Sequence, residues 1–150
     1  MADALPADID VTFAAVDGPA AALVGRPRGH VVIPALPRES EAFADSVEQL
    51  IETVRPDLIC LDANPFNTAL VRLPSVPVVM LTNWFLTAVG GDVETWQTDR
   101  LRALPRMNER RVARGLAPIG DAKSLYLADD VLLCDPVGLV PATLPEPFRA

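Results

Sequence analysis

Two short apolar runs, joined by a segment with helix-start and helix-stop residues, constrain the fold of this chain more than any other feature. The first run, Leu58–Leu61, is closed by Asp62, and the second run, Pro77–Leu81, is followed two residues later by Asn83. Unbroken apolar runs of this length are typical of strands buried on both faces of a parallel sheet. Parallel neighbours require a crossover connection. Residues 55–84 therefore predict a strand, a crossover helix and a second strand.

The predicted crossover helix has its own start and stop signals. Asn64 can cap the first N–H groups of a helix, Pro65 fits the first helical position, and Pro74 ends the helix. The apolar stripe of this helix consists of Ala69, Leu70 and Leu73. Ligands of open α/β sheets bind at the carboxyl ends of the strands. Polar residues at that edge of the predicted sheet are therefore the first candidates for a binding site.

Each candidate at this edge has a structural alternative. Asp62 can hold a ligand hydroxyl through a hydrogen bond, although a carboxylate that caps the next helix is the simpler interpretation. For Asn64 the simpler interpretation is a helix cap, and a ligand contact is the alternative. Asn83 and Trp84 can line an apolar cleft with a few polar groups, whereas Trp84 can equally belong to the core.

The other elements of the chain alternate between strand and helix patterns. Apolar residues at helical spacing predict an amphipathic helix over Ser40–Val54. Helical pattern also runs from Val93 to Arg114, with a break or kink expected at Pro105 and a cap at Gly115. Further strands are predicted at Asp10–Val16, His30–Leu36 and Val131–Cys134, and a short helix at 119–127. This alternation predicts an α/β sandwich with a mainly parallel sheet, as one domain over 1–150 with an extended tail at 135–150.

Composition and missing motifs exclude several function classes. The apolar stretch from Val76 to Val89 is too short to span a bilayer, and the start lacks the basic region of a secretory signal, so we expect a cytoplasmic protein. A net charge of −7 argues against nucleic-acid binding. The chain has no glycine-rich dinucleotide or phosphate motif and no hydrolase nucleophile elbow. We therefore expect no cofactor.

Three further groups of residues have simple structural interpretations. Cys60 and Cys134 lie in predicted strands, where a free cysteine behaves as a small buried apolar residue. Six arginines lie between Arg100 and Arg114, and a solvated helix face is a simpler interpretation than a site for an anionic ligand. Asp129-Asp130 precedes a strand, so a turn is expected there rather than a metal site.

Several motifs occur in an order and spacing that resemble one family. They are DANPF at Asp62–Phe66, the strand Val76–Val79, NERRVARGLAP at Asn108–Pro118, ADDVLLCDP at Ala128–Pro136 and LPEPFR at Leu144–Arg149. Together they resemble the acceptor-binding N-terminal half of a B-type-fold glycosyltransferase. The group includes antibiotic, sterol and UDP-glycosyltransferases. The resemblance covers most of the chain, and before residue 55 it rests on element order alone.

The resemblance implies a fold and an activity. The implied fold is a Rossmann-like three-layer sandwich, and the implied enzyme is a hexosyltransferase that moves sugar from a nucleotide-sugar donor to a small or lipophilic acceptor. This chain would hold the acceptor, and a second half would bind the donor. The acceptor-binding candidates are Asp62, Asn64, Phe66, Asn83 and Trp84.

The chain departs from the family at both ends. Members of the group begin with a strand and a glycine-rich turn that carries a catalytic histidine, and this sequence starts after that unit. His30 is the only histidine, and because it opens a later strand we assign it no catalytic role. The donor domain is also missing. We therefore name no catalytic and no metal-binding residue, and we expect the chain to transfer no sugar by itself.

The missing first strand has a physical consequence. In the implied order it lies between the strand at Val11 and the strand at Leu58, so its absence exposes two interior edges. We expect one of three outcomes. The two strands pair directly, another chain or segment inserts a strand between them, or the chain has low stability by itself. Implied partners are a small-molecule or lipid acceptor, a donor-binding domain on another chain, or a second copy paired through the edge. Two alternatives stay open, namely a non-catalytic subunit of a split transferase and a small α/β binding domain.

Overall fold

The described elements are helices and parallel strands, as the sequence predicts for an α/β fold. The computed structural model describes residues 6, 8–16, 30–33, 40–62, 68–83, 94–120, 125–126, 128–136, 138–140, 143–144 and 148–149. The elements are β1 (Phe13–Val16), β2 (His30–Ile33), α1 (Glu41–Val54), β3 (Ile59–Asp62), β4 (Val78–Thr82), α2 (Glu94–Ala113), β5 (Asp130–Leu133) and β6 (Phe148–Arg149). Two compact units contain them, Met1–Arg55 and Pro56–Ala150.

The first unit contains a two-stranded parallel sheet and one amphipathic helix. β1 pairs with β2 in register, from Phe13 opposite His30 to Val16 opposite Ile33. Helix α1 contacts β2, and Ile33, Phe43 and Ala44 are buried. The predicted strand continuation at 34–36 lies outside the described residues.

Helix α1 confirms the clearest prediction from the sequence, and its ends show why. The Ser40 side chain accepts a hydrogen bond from the N–H of Phe43 at 3.1 Å, which satisfies one free donor of the first turn. At the other end Arg55 adopts a left-handed conformation with φ of 51° and donates its N–H to Ile51 O. Pro56 follows, so the helix stops there.

The second unit contains a four-stranded sheet in the order β3-β4-β5-β6, with every pair parallel. β3, β4 and β5 confirm the strands predicted from the apolar runs. β6 lies in the proline-rich tail, where the sequence analysis predicted only an extended segment. Its Phe148 pairs with Val131 and is buried. β1 and β3 belong to different described sheets, so the direct pairing that the sequence left open is not found among the described residues.

The two faces of this four-stranded sheet differ sharply in burial. Strand register assigns alternate side chains to each face. The closed face consists of Leu61, Met80, Thr82, Val131, Leu133 and Phe148. On it, Val131 is 0% and Met80 1% exposed. The open face consists of Cys60, Asp62, Val79, Leu81, Asp130, Leu132 and Cys134, and the register pairs Leu132 of this set with Arg149 of β6. On it, Cys60, Asp62 and Cys134 are exposed, as is 38% of Leu132.

Chain connectivity explains this difference. The strands follow one another across the sheet in chain order. Crossovers between parallel strands are almost always right-handed, so successive connections in one direction are expected on one face. Ala128, which precedes β5, and Leu144, in the connection to β6, both pack against the cluster of Met80, Val131 and Phe148. The connections therefore cover the closed face.

Two helix predictions need correction. Of the break or kink expected at Pro105, the break does not occur, because helix α2 runs without interruption from Glu94 to Ala113. The helix ends at Ala113, and the φ of 73° at Gly115, two residues later, supports the predicted cap. The N–H of Leu116 there bonds to Arg111 O, and that of Gly115 to Val112 O.

The second correction concerns the predicted crossover helix. Its start at 64–67 lies outside the described residues. Thr68 has a 3₁₀ conformation, residues 69–70 form a turn and residues 71–73 have no regular secondary structure, so no α-helix extends to Leu73. Ala69, Leu70 and Val71 are nevertheless buried. Among the described helices, none has the length and apolar content needed to cross a membrane.

Candidate functional site

The carboxyl ends of three adjacent parallel strands bring polar side chains to one edge of the second unit. Asp62 is the last residue of β3 and is exposed, and Asn83 directly follows β4 and is half-buried. Asp135 lies two residues beyond the end of β5. This edge is where open α/β sheets bind ligands. We call Asp62, Asn83 and Asp135 the edge cluster.

One hydrogen bond orients a member of the edge cluster. The side-chain amide Nδ2 of Asn83 donates to Oδ1 of Asp135 at 3.3 Å. Because the bond to Asp135 uses the amide nitrogen, the carbonyl oxygen of Asn83 can accept a hydrogen bond from a ligand. The carboxylate of Asp62 is also an acceptor. The edge cluster is therefore suited to ligands that donate hydrogen bonds, such as hydroxyl compounds.

The sequence predicted part of this cluster. Asp62 and Asn83 were predicted at the ends of neighbouring strands, and the structure places them there. Asn64, Phe66 and Trp84 lie outside the described residues. Asp135 was not among the candidates. The sequence contains a signal for Asp135, because this residue follows a buried strand as Asp62 and Asn83 do.

Cys60 and Cys134 do not occupy the buried positions that the sequence predicted. Both are free and exposed. The reason is that their strands have only one covered face, whereas the prediction assumed two. Desolvation by surrounding protein raises the pKa of the Cys60 thiol, and the charges of Asp62 and Cys134 raise it further. Cys60 is therefore a weaker nucleophile at neutral pH than an ordinary thiol.

The arginines of α2 bind backbone carbonyls. Arg111 donates from Nε to Ala117 O at 2.8 Å and from NH1 to Ala69 O. Arg114 donates from Nε to Leu70 O at 2.9 Å. The simpler interpretation, a solvated helix face, is wrong for these two residues. They fasten the chain at 69–70 to the end of α2, and burial lowers the pKa of the Arg111 guanidinium.

Asn108 also has a structural role. Its Nδ2 donates to Ile119 O at 2.9 Å, and its Oδ1 accepts from the N–H of Ile119 at 2.7 Å. These paired bonds fold residues 116–119 back along the helix. Four residues of the motif NERRVARGLAP therefore have structural roles, namely Asn108, Arg111, Arg114 and Gly115.

Asp129, directly before β5, also has a structural role, and Asp130 is the first residue of that strand. Asp129 accepts a hydrogen bond on Oδ2 from the N–H of Val78 at 2.8 Å and donates its own N–H to Val78 O. It joins the starts of β4 and β5, as the turn interpretation requires. Among the described residues, no group of three or more His, Cys, Asp or Glu side chains is placed to hold a metal ion.

Comparison with known proteins gave no match to a family model, to a curated protein or to a solved structure. The functional argument therefore rests on the edge cluster and on the motifs of the sequence.

Proposed function

We propose that this chain is the acceptor-binding half of a B-type-fold glycosyltransferase, and that its edge cluster holds the acceptor hydroxyl. The finer fold proposed with it is a Rossmann-like three-layer sandwich that lacks the usual first strand. The single observation that carries the proposal is the position of Asp62 and Asn83 at the carboxyl ends of adjacent parallel strands.

The chemistry of the edge cluster supports binding of the sugar acceptor rather than of the nucleotide-sugar donor. The phosphates of a nucleotide sugar need cations or backbone N–H groups. The edge cluster instead consists of two carboxylates and an amide held by one of them. A hydroxyl group that donates to Asp62 and to the carbonyl oxygen of Asn83 suits that set.

The proposal assigns no catalytic group to this chain. The role of Asp62 is to hold and orient a hydroxyl, and deprotonation and the donor come from outside these residues. The purified chain is therefore expected to transfer no sugar from a UDP- or dTDP-sugar. Transfer by the chain alone would contradict this part of the proposal.

Acceptor binding is tested with a panel of hydroxyl compounds, both phenols and sterols, by ligand-observed NMR. We expect binding that weakens at least about tenfold in Asp62→Ala and in Asn83→Ala, because each loses a hydrogen bond in a partly desolvated site. Leu139→Ala is the matched control, since Leu139 is 68% exposed and lies outside the sheet. Equal binding by all three variants would show that the edge cluster is not the site.

A further inference from the structure

Strand β3 forms one edge of the four-stranded sheet, and its outer side presents backbone hydrogen-bonding groups. Its neighbour is β4, and the described sheet ends at β3. The N–H of Ile59 donates to Pro77 O at 3.0 Å, so the backbone of Ile59 faces β4. Backbone groups of successive strand residues point to opposite sides, so those of Cys60 and Asp62 point away from the sheet. Within the part of the chain that the structure describes, these outward groups have no backbone partner.

This edge is accessible and lacks features that commonly block the pairing of edge strands. Both Cys60 and Asp62 are exposed. Natural edge strands are often protected by lysine, proline or a bulge. Ile59–Asp62 contains neither lysine nor proline, and its four residues pair with β4 in unbroken register. A further strand can therefore form backbone hydrogen bonds to this edge.

The closed face adds a requirement for the side chains of such a strand. Leu61 packs against the cluster of Met80, Val131 and Phe148, but it is only half-buried because the sheet ends beside it. An apolar side chain next to Leu61 on the same face would extend this cluster. The edge therefore fits an extended segment that has an apolar residue between two residues with free backbone groups.

We propose that β3 binds β3 of a second copy of this chain, as antiparallel strands related by a two-fold axis. In the proposed register Leu61 lies opposite Leu61 of the second copy, and Cys60 lies opposite Asp62. Opposite residues of a hydrogen-bonded antiparallel pair exchange both N–H···O bonds, so the outward groups of Cys60 and Asp62 are all paired. The two four-stranded sheets join into one. Because this dimer requires neither sugar transfer nor a ligand at the edge cluster, it is independent of the glycosyltransferase proposal.

The residues of β3 favour this register over its neighbour. Asp62 lies opposite a neutral thiol, so the two Asp62 carboxylates are not opposite each other. A shift that places Cys60 opposite Cys60 would instead require Leu58 to pair with Asp62. Leu58 lies in a bend before β3 and is not part of the strand. The proposed register uses strand residues alone.

Sedimentation velocity and amide hydrogen exchange measured by NMR, each over a range of concentrations, test the dimer. The contact is small, so we expect a dissociation constant in the micromolar range or weaker. Each chain carries a net charge of −7, and about 0.15 M salt screens the resulting repulsion. Exchange of the Cys60 and Asp62 amides should slow as the dimer forms. The amide of Ile59, which already bonds to β4, should change less.

Charged variants of Cys60 test the register. Cys60→Lys places a cation opposite Asp62 at two symmetric positions and should tighten the dimer about fivefold, whereas Cys60→Glu should weaken it about fivefold. Val112→Lys and Val112→Glu are the matched controls, because Val112 is 59% exposed on α2 and these changes alter the net charge equally. Both controls should leave the dissociation constant within about twofold of that of the unchanged chain.

A proline variant tests the backbone bonds. Cys60→Pro removes an outward N–H without removing a bond to β4, so it should weaken the dimer at least about tenfold and leave the fold intact. Cys60→Ser removes the thiol alone and should dimerise like the unchanged chain. If Cys60→Pro does not fold, the lysine and glutamate variants still decide the question.

Three outcomes would overturn the proposal. A chain that stays monomeric at every concentration would show that a second copy does not occupy the edge. A dimer that leaves exchange of the Cys60 and Asp62 amides unchanged would use another surface. Equal effects of Cys60→Lys and Cys60→Glu, or a tighter dimer in the glutamate variant, would contradict the register.

Discussion

The closed and open faces of one sheet are made by the same strands and have opposite surroundings. Val131 and Leu132 are neighbours in β5, yet Val131 is 0% exposed and Leu132 is 38% exposed. Both are aliphatic, so composition does not distinguish them. The difference follows the connections, because Ala128 and Leu144, which lie in two of them, pack against the cluster around Val131.

This comparison shows what an apolar run does and does not predict. The runs that form β3, β4 and β5 predict strands, since they are short, unbroken and closed by polar residues. They do not reveal whether one face or both faces are covered. Face coverage depends on where the connections lie and on elements outside the unit.

The largest expected effect comes from placing the same charge on each face. Val131→Asp buries an unpaired carboxylate in the closed-face core and should cost more than about 4 kcal/mol, enough to unfold a marginal domain. Leu132→Asp should cost less than about 1 kcal/mol, because the carboxylate stays in water. Urea unfolding followed by circular dichroism measures both.

The matched pair tests the comparison directly. A large loss for Leu132→Asp would show that the open face is packed, and the contrast between the two faces would then fail. If Val131→Asp lowers the free energy of unfolding only slightly, the closed-face core does not determine the stability of the protein.

A second prediction concerns how the connections are held. Arg111 bonds to the carbonyls of Ala69 and Ala117, so it ties two connecting segments to α2. Arg111→Ala should cost about 2 kcal/mol, because it leaves carbonyls without their charged donor at a partly exposed site. Arg106→Ala is the control on the same helix and should stay within about 0.5 kcal/mol, since Arg106 is exposed.

Chemical unfolding distinguishes these two arginine variants. Equal losses for Arg111→Ala and Arg106→Ala would mean that helix propensity or net charge, rather than the carbonyl bonds, accounts for the effect. Arg111→Lys sharpens the test, because it keeps the charge and loses the planar set of donors.

The sequence predicted the local elements better than their surroundings. Helix α1 was found because Ser40, the apolar spacing and Arg55-Pro56 define its start, face and end. β6 was missed because Phe148 stands between Pro147 and Arg149 and belongs to no apolar run, and its strand exists through pairing with β5. Of the break or kink expected at Pro105, the break did not occur, since tertiary context overrides local propensity.

The candidate site was predictable to a similar degree. A polar residue after each of two apolar runs placed Asp62 and Asn83 at one edge. Their bonding was not predictable, because the partner Asp135 is 52 residues from Asn83 in sequence. The exposure of Cys60 and the hydrogen bonds from Arg111 to backbone carbonyls were not predictable for the same reason. Both depend on contacts between residues distant in sequence.

A third, smaller effect tests how fully the closed face is apolar. Thr82 is 1% exposed there, and its hydroxyl has no hydrogen-bond partner. Thr82→Val keeps the shape and removes the unpaired hydroxyl, so it should raise stability by about 1 kcal/mol. Thr82→Ser keeps the hydroxyl and removes a methyl group, so it should lower stability by about 1 kcal/mol. If the valine variant is the less stable, the hydroxyl has a partner such as a buried water.

The smallest expected effect tests the electrostatics of the open face. Desolvation is the main cause of the raised pKa of Cys60, and the charge of Asp62 adds to it. Asp62→Asn removes that charge, so the pKa of Cys60 falls and more of the reactive thiolate is present at pH 8. Alkylation of Cys60 should become faster, by less than about tenfold because desolvation persists.

The pH dependence separates this effect from a change in access. Once the pH exceeds the pKa of Cys60 in both proteins, the thiol is ionised in each and the two rates should converge. If Cys60 of the Asp62→Asn variant is still alkylated faster at high pH, the substitution has increased the access of the reagent to Cys60 instead of lowering its pKa. The alkylation rate of Cys134 in the same samples reports any such opening, because Cys134 shares the open face and keeps its own side chain in both proteins.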